Sequence, residues 1–246
     1  MASFDENRAF MKSLFGESPR PSDQQRGLPQ PPVQHEPPDG AELIDLPPPD
    51  QGAPQVDFQT CLNNRRSRRR FSDSSVTAEE LSYLLWATQG VQRATDDGYA
   101  TFRPVPSAGA RHPFETHLAV NNVDTLTAGL YRYLPLSHQL VRTSEASDLP
   151  DRLTAAALGQ GFVGHCAACF LWSCVPYRGE WRYRHHAHKV ALLDAGHIGQ
   201  NLSLACEAMS LGTCMIGAYD QQAIDALLGL DGVDEFVVYL APVGRP

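Results

Sequence analysis

The 246-residue sequence has no long apolar run, no net positive charge and few cysteines. Its longest uninterrupted hydrophobic stretch, Cys166 to Trp172, falls far below the roughly 18 residues that span a bilayer, so no membrane helix is expected. The opening MASFDENRAFMK is polar and carries acids, unlike a secretory signal. Six cysteines, all but Cys61 between Cys166 and Cys214, are too few and too clustered for a disulfide scaffold. They point to a reducing, cytoplasmic setting. A net charge of −8 disfavours nucleic acid or an anionic membrane as partner. Motifs of the G-x-S-x-G and Walker A types are absent, which argues against a hydrolase elbow and a P-loop.

What is present divides the chain in two. Residues 1–55 hold 11 of the 19 prolines and little periodic hydrophobicity beyond a weak helical pattern at Phe4–Phe15. Proline removes backbone donors and favours extended chain, so this part is an arm, either mobile or wrapped around something. Its segment Glu42–Pro47 suits an extended course against a partner surface. Residues 56–246 are enough for one real core.

In that body Thr77-Ala78-Glu79-Glu80 forms a capping box, followed by Leu81, Leu84, Leu85 and Thr88 on one helical face and Gly90 as a stop. A second helix starts at Asp220 with Ile224, Leu227 and Leu228 inward and ends at Gly229. Another starts near Asp57 and carries Phe58, Cys61 and Leu62. The longest is expected from about His188 to Leu211, apolar nearly all round and therefore buried in a core or at a subunit interface. Strands are expected at Thr116–Asn121, Leu130–Leu134, Cys166–Tyr177 and Glu235–Val243. Helices and strands mix without βα alternation, so the class is α+β.

Three segments could do chemistry. Arg65, Arg66, Arg68, Arg69 and Arg70 crowd one short stretch of an acidic protein. Guanidinium forks beside Ser67 suit a phosphate; a solvated run of charge is the bland alternative. Pro104-Val105-Pro106-Ser107-Ala108-Gly109-Ala110-Arg111 lets backbone amides approach a flat ligand, or is simply a turn before a strand. The glycine-flanked loop after the long helix, through Gly217 and Ala218, could present amides to a cofactor, or merely connect. Cys166, Cys169 and Cys174 read as small core hydrophobes, with alternation placing 166 and 174 on one face and 169 on the other. His185, His186, His188, Asp194 and His197 lack the helical spacing of a zinc site and suit surface or capping roles. No metal is expected.

Taken in order, RRSRRRFSDSSVTAEELSYLLWATQG (65–90), PSAGARHPFETHLAV (106–120), GLYRYLPLSHQLV (129–141), WRYRHHAHKVALLDAGHIGQNLSLACEAMSLGTCMIGAYD (181–220) and VGRP (243–246) resemble the FMN-dependent nitroreductase superfamily. The resemblance is greatest to its SagB-type dehydrogenase branch. It implies an antiparallel sheet wrapped by helices in an intertwined homodimer, with FMN at the interface. It places the FMN phosphate and ribityl chain on Arg66, Ser67 and Arg69, with a further phosphate contact from Arg245. Gly217 and Ala218 would face the flavin ring, and Pro106, Ser107, Ala108 and Gly109 would reach FMN of the other subunit. Ala110 stands where many relatives have asparagine.

The resemblance further implies oxidation of a thiazoline, oxazoline or similar ring in a peptide or other natural product. Relatives use a Lys-Tyr pair to remove the proton; here the place reads Arg182-Tyr183. Arginine keeps its proton, so Tyr183 is the expected base and Arg182 its electrostatic partner. The alternatives are an NAD(P)H-dependent nitro or quinone reductase and a non-catalytic module that binds phosphate or a partner.

Overall fold

The computed structural model describes residues 4–13, 15, 20–145 and 148–246; residue 14 of the expected Phe4–Phe15 helical pattern lies outside them. In chain order the elements are α1 (Asp5–Phe10), β1 (Leu43–Asp45), α2 (Phe58–Asn64), α3 (Ala78–Gln89), β2 (Phe114–Val120), β3 (Gly129–Leu134) and β4 (Gln139–Ser144). They continue with α4 (Leu149–Ala156), the single turn α5 (Gly161–Gly164), β5 (Ala168–Cys174), α6 (Tyr177–Tyr183), α7 (Ala187–Ala208), β6 (Gly212–Thr213), α8 (Gln221–Leu228) and β7 (Phe236–Gly244). The strands form one sheet in the order β1-β4-β3-β2-β5-β7-β6, antiparallel at every pairing. A small separate hairpin pairs Arg93–Ala94 with Thr101–Phe102.

Helices cover both faces of the sheet. One face carries Leu118, Phe170 and Trp172 against Leu81, Leu84 and Leu85 of α3 and Ile198 and Leu202 of α7. The other carries Ala119, Cys169, Leu171 and Leu240 against Leu153 of α4 and Ile224 and Leu227 of α8. Double coverage explains why β5 is apolar at nearly every position and wholly buried. The strand ends at Cys174, sooner than expected, because Pro176 and Tyr177 open α6. It also begins only at Ala168, so alternation does not reach Cys166, which packs on the same side as Cys169 while Cys174 lies opposite.

Local signals set the helix boundaries. Thr77 Oγ1 accepts from the Glu80 amide while Glu80 Oε2 accepts from the Thr77 amide, and Leu81, Leu84, Leu85 and Thr88 are buried. Asp220 accepts from the Ala223 amide, and Gly229 closes α8 in the left-handed conformation. Helix α2 is capped by Asp57 and buries Cys61, but Phe58 and Leu62 point to solvent. The core face of α7 holds Ala191, Ala195, Ile198 and Leu202, whereas Leu192 and Leu193 are 50% and 55% exposed. This helix is thus only half covered by its own chain.

Residues 20–55 lie on the body. β1 adds to the sheet edge by pairing Leu43–Asp45 with Gln139–Val141, so the surface that receives this extended segment belongs to the same chain. Farther back, the Arg103 guanidinium donates to Val33 O, Arg132 donates to Glu36 O, and the His35 amide donates to Glu115. Glu115 is itself fully enclosed in an ion pair with Arg178. Polar groups rooted in the core therefore hold an arm that has too few apolar side chains to hold itself.

Candidate active site

The arginine-rich segment runs beside β6 and the end of β7. The Arg68 amide donates to Thr213 O at 2.9 Å, and the Ser72 amide donates to Arg245 O at 2.8 Å. Ser67 and Thr213 form a parallel bridge. Gly212 and Gly244, opposite one another in register, make this approach possible. A Cβ on either would come to 3.0 Å, one from the Arg68 side chain and the other from the Phe71 ring.

The exposed Arg66 donates through Nη1 to Asn63 O and Arg65 O at the end of α2. Ser67 and Arg69 are exposed, and neither guanidinium has a carboxylate partner among the described residues. Arg245 differs. Its Nη2 reaches both Glu80 oxygens at 2.9 Å and its Nε donates to Ser75 O, which leaves only Nη1 for any ligand. Thr213 Oγ1 and Arg68 Nε are buried without partners. The loop after β6 presents Gly217 and Ala218 to solvent, and a Cβ on Gly217 would meet nothing within 4 Å. Among the described residues neither amide has an acceptor.

A second cluster sits toward the other end of α7. The Ser107 hydroxyl donates to Asp194 Oδ2 at 2.6 Å, and the Ala108 amide donates to the same carboxylate. Ser107 Oγ also accepts from the His112 amide at 2.9 Å. Burial raises the Asp194 carboxyl above its ordinary value, against the lowering by these bonds. Gly109, at φ +61°, lies so close to Tyr183 and Arg182 that a Cβ would come within 2.5 Å of the Tyr183 hydroxyl and 3.0 Å of Arg182 Nε. Loop 106–109 and the Arg182-Tyr183 pair, read separately in the sequence, thus form one surface.

Arg182 Nη1 donates to the Tyr99 hydroxyl at 2.8 Å, and its guanidinium lies 5.5 Å from the Tyr183 ring centroid. The aromatic hydroxyl it bonds is therefore Tyr99. Phe15 of the arm contacts Tyr183 edge-on and stacks on His186. The chain leaves Tyr183 through Arg184 at φ +55°, a conformation that costs a non-glycine residue about 1–3 kcal/mol. Tyr99 and Phe15 carry no local sequence signal of a site, and Arg111 stood out only as the end of the segment from Pro104. Asp194 stood out only as a neighbour of histidines, yet its structural partner is Ser107.

The two clusters touch the same helix at different points. Arg68 meets Glu207 near the end of α7, while Asp194 lies 13 residues earlier, a separation of about 20 Å at 1.5 Å per residue. Among the described residues no group of three or more His, Cys, Asp or Glu is placed to hold a metal, and no helix is long and apolar enough to cross a membrane.

Comparison with known proteins gives this geometry its context. The description of the Nitroreductase family matches residues 62–245. A Methanocaldococcus jannaschii protein designated a nitroreductase is 31% identical over 191 residues, which are 78% of this chain and 92% of the relative. The microcin B17-processing protein McbC of Escherichia coli is 28% identical over 136 residues, 52% of this chain and 49% of its own. Among solved structures, a protein of Anabaena variabilis, also designated a nitroreductase, superposes with a TM-score of 0.72 at 27% identity. That match covers 85% of this chain and 42% of the Anabaena chain, so the likeness concerns part of the latter.

Proposed function

Because this chain belongs to the nitroreductase family and is an oxidoreductase, we propose that it is an FMN-dependent dehydrogenase of the SagB type, active as a homodimer in a reducing, cytoplasmic setting. Family membership sets aside the non-catalytic module. One observation supports the reading: residues distant in sequence come together in two clusters along α7.

The first half-site fits a phosphorylated, flat ligand. Arg66 and Arg69 offer unneutralised guanidinium groups beside the Ser67 hydroxyl, and Gly217 and Ala218 offer unpaired amides over open space. We assign the phosphate and ribityl chain of FMN to Arg66, Ser67 and Arg69, with Arg245 Nη1 as the residual contact. The ring falls to Gly217 and Ala218. When bound, FMN supplies a ring that can accept or return a hydride. Pro106, Ser107, Ala108 and Gly109, with Arg182 and Tyr183, form the other half-site. The exposed Leu192 and Leu193 of α7 suit burial against a second copy, whose flavin the 106–109 loop would reach.

Within that assembly Tyr183 Oη takes the substrate proton. Arg182, as a guanidinium, contributes positive charge beside it. Ser107 contributes shape, since its hydroxyl is committed to Asp194 and the His112 amide. The substrate is a small molecule or modified peptide carrying a dihydro ring, by likeness to the peptide-processing relative of E. coli. The likeness to a protein designated a nitroreductase favours a second reading, reduction of a nitro compound or quinone at the expense of NAD(P)H.

Purified protein settles the matter. A yellow spectrum and a released flavin with one phosphate are expected, and a colourless protein that takes up no FMN refutes the reading. Anaerobic NAD(P)H should leave the colour of a dehydrogenase unchanged and bleach a reductase.

A further inference from the structure

Arg182 and Arg111 bring two positive charges close together around Tyr99. Neither guanidinium has an ion-pair partner among the described residues, in a protein whose net charge is −8. Isolated positive charge beside aromatic walls is costly to leave unmatched, and a ligand anion relieves it.

The two arginines are fixed in different ways. Arg111 is 4% exposed. Its Nη2 donates to Tyr99 O at 2.6 Å, its Nε to Gly109 O at 3.1 Å, and its guanidinium lies 4.5 Å from the Tyr99 ring centroid. It can supply field but hardly contact. Arg182 is half-buried and spends one donor on the Tyr99 hydroxyl, which also accepts from Gln24 Nε2 at 2.7 Å. With both acceptor positions of that oxygen filled, its O–H proton points elsewhere, and the remaining N–H groups of Arg182 stay available. Tyr183 and Gly109 close the same patch.

We propose that Arg182, oriented by Tyr99 and reinforced by the Arg111 charge, binds a carboxylate on the substrate. This rests on the assignment of the neighbouring half-site to a flavin enzyme and narrows its substrate class: the oxidisable or reducible group belongs to an organic acid. Arg182 is then a binding residue that touches substrate, and Tyr99 is a positioning residue acting through it. A fork of two parallel N–H donors suits a carboxylate better than a neutral amide, and it suits arginine better than lysine.

Calorimetric titration of the holoprotein with 4-nitrobenzoate and with the neutral 4-nitrobenzamide tests this. The carboxylate should bind at least tenfold more tightly. Arg182→Gln should equalise the two, Arg182→Lys should keep part of the preference, and Tyr99→Phe should reduce it several-fold with little change for the amide. Equal affinities in the unaltered protein, no measurable binding of the carboxylate, or a preference that survives Arg182→Gln would each overturn the assignment. So would an Arg182→Gln effect confined to NADPH, which would give the charge to a nucleotide phosphate. Failure of the flavin reading shows separately, as a protein without yellow colour.

Discussion

The Ser107 hydroxyl donates to Asp194 at 2.6 Å and in the same geometry accepts the His112 amide at 2.9 Å. One side chain of α7 thereby fixes the loop that leads to Gly109 and Tyr183. Asp194→Ala leaves the Ser107 and Ala108 donors without acceptors in a nearly closed site. Each such loss costs about 1–3 kcal/mol. Thermal unfolding should fall by that amount, with weaker substrate binding, while Asp194→Asn, which keeps an acceptor oxygen, should recover part of both.

Arg66 and Arg69 are exposed and have no carboxylate partners among the described residues, so replacing both with alanine should leave stability within about 0.5 kcal/mol. Flavin retention should suffer severely. Hydrogen bonds to a charged group contribute about 1.5–3 kcal/mol each, so loss of both predicts at least a hundredfold rise in Kd for FMN, read by fluorescence titration of stripped protein.

The enclosed Arg178–Glu115 pair also receives the His35 amide. Glu115→Ala strands a buried guanidinium and removes the arm's acceptor. Breaking one side of such a pair costs about 3–5 kcal/mol. The melting temperature should drop by about 10 °C, and limited proteolysis should cut first within residues 20–40.

Much of this was legible from short-range pattern. The Thr77–Glu80 capping box, the Asp220 cap and the Gly229 stop are signals within four residues, and each helix forms where they place it. The arginine motif and the loop at Gly217 were also readable, because flexible or charged residues at turns stand out locally. Long-range relations were not. β1 pairs with a strand nearly a hundred residues away. Arg182 reaches the Tyr99 hydroxyl 83 residues away in sequence. Glu80 serves its cap and also captures Arg245, a second duty that no local pattern reveals. Leu192 and Leu193 made α7 read as apolar all round, yet its own chain covers one side only.

Burial, reinforced by the nearby Arg103 charge, pushes the His112 imidazole down to about 3. An unfolded histidine titrates near 6.5, so the unfolded chain binds the proton first as pH falls. His112 therefore contributes full stability above about pH 6.5 and loses it progressively between there and about pH 3, by up to about 1.4 kcal/mol per pH unit. Denaturant titrations across this window should show a shallower pH slope for His112→Gln.

The central claim is that two copies together complete sites for FMN. Native mass spectrometry of the purified protein measures chain and flavin stoichiometry at once. The account predicts twice the 27.0 kDa chain mass plus two FMN, with Leu193→Glu giving single chains that have lost the flavin. A single unmodified chain that stays flavin-free in excess FMN would contradict it.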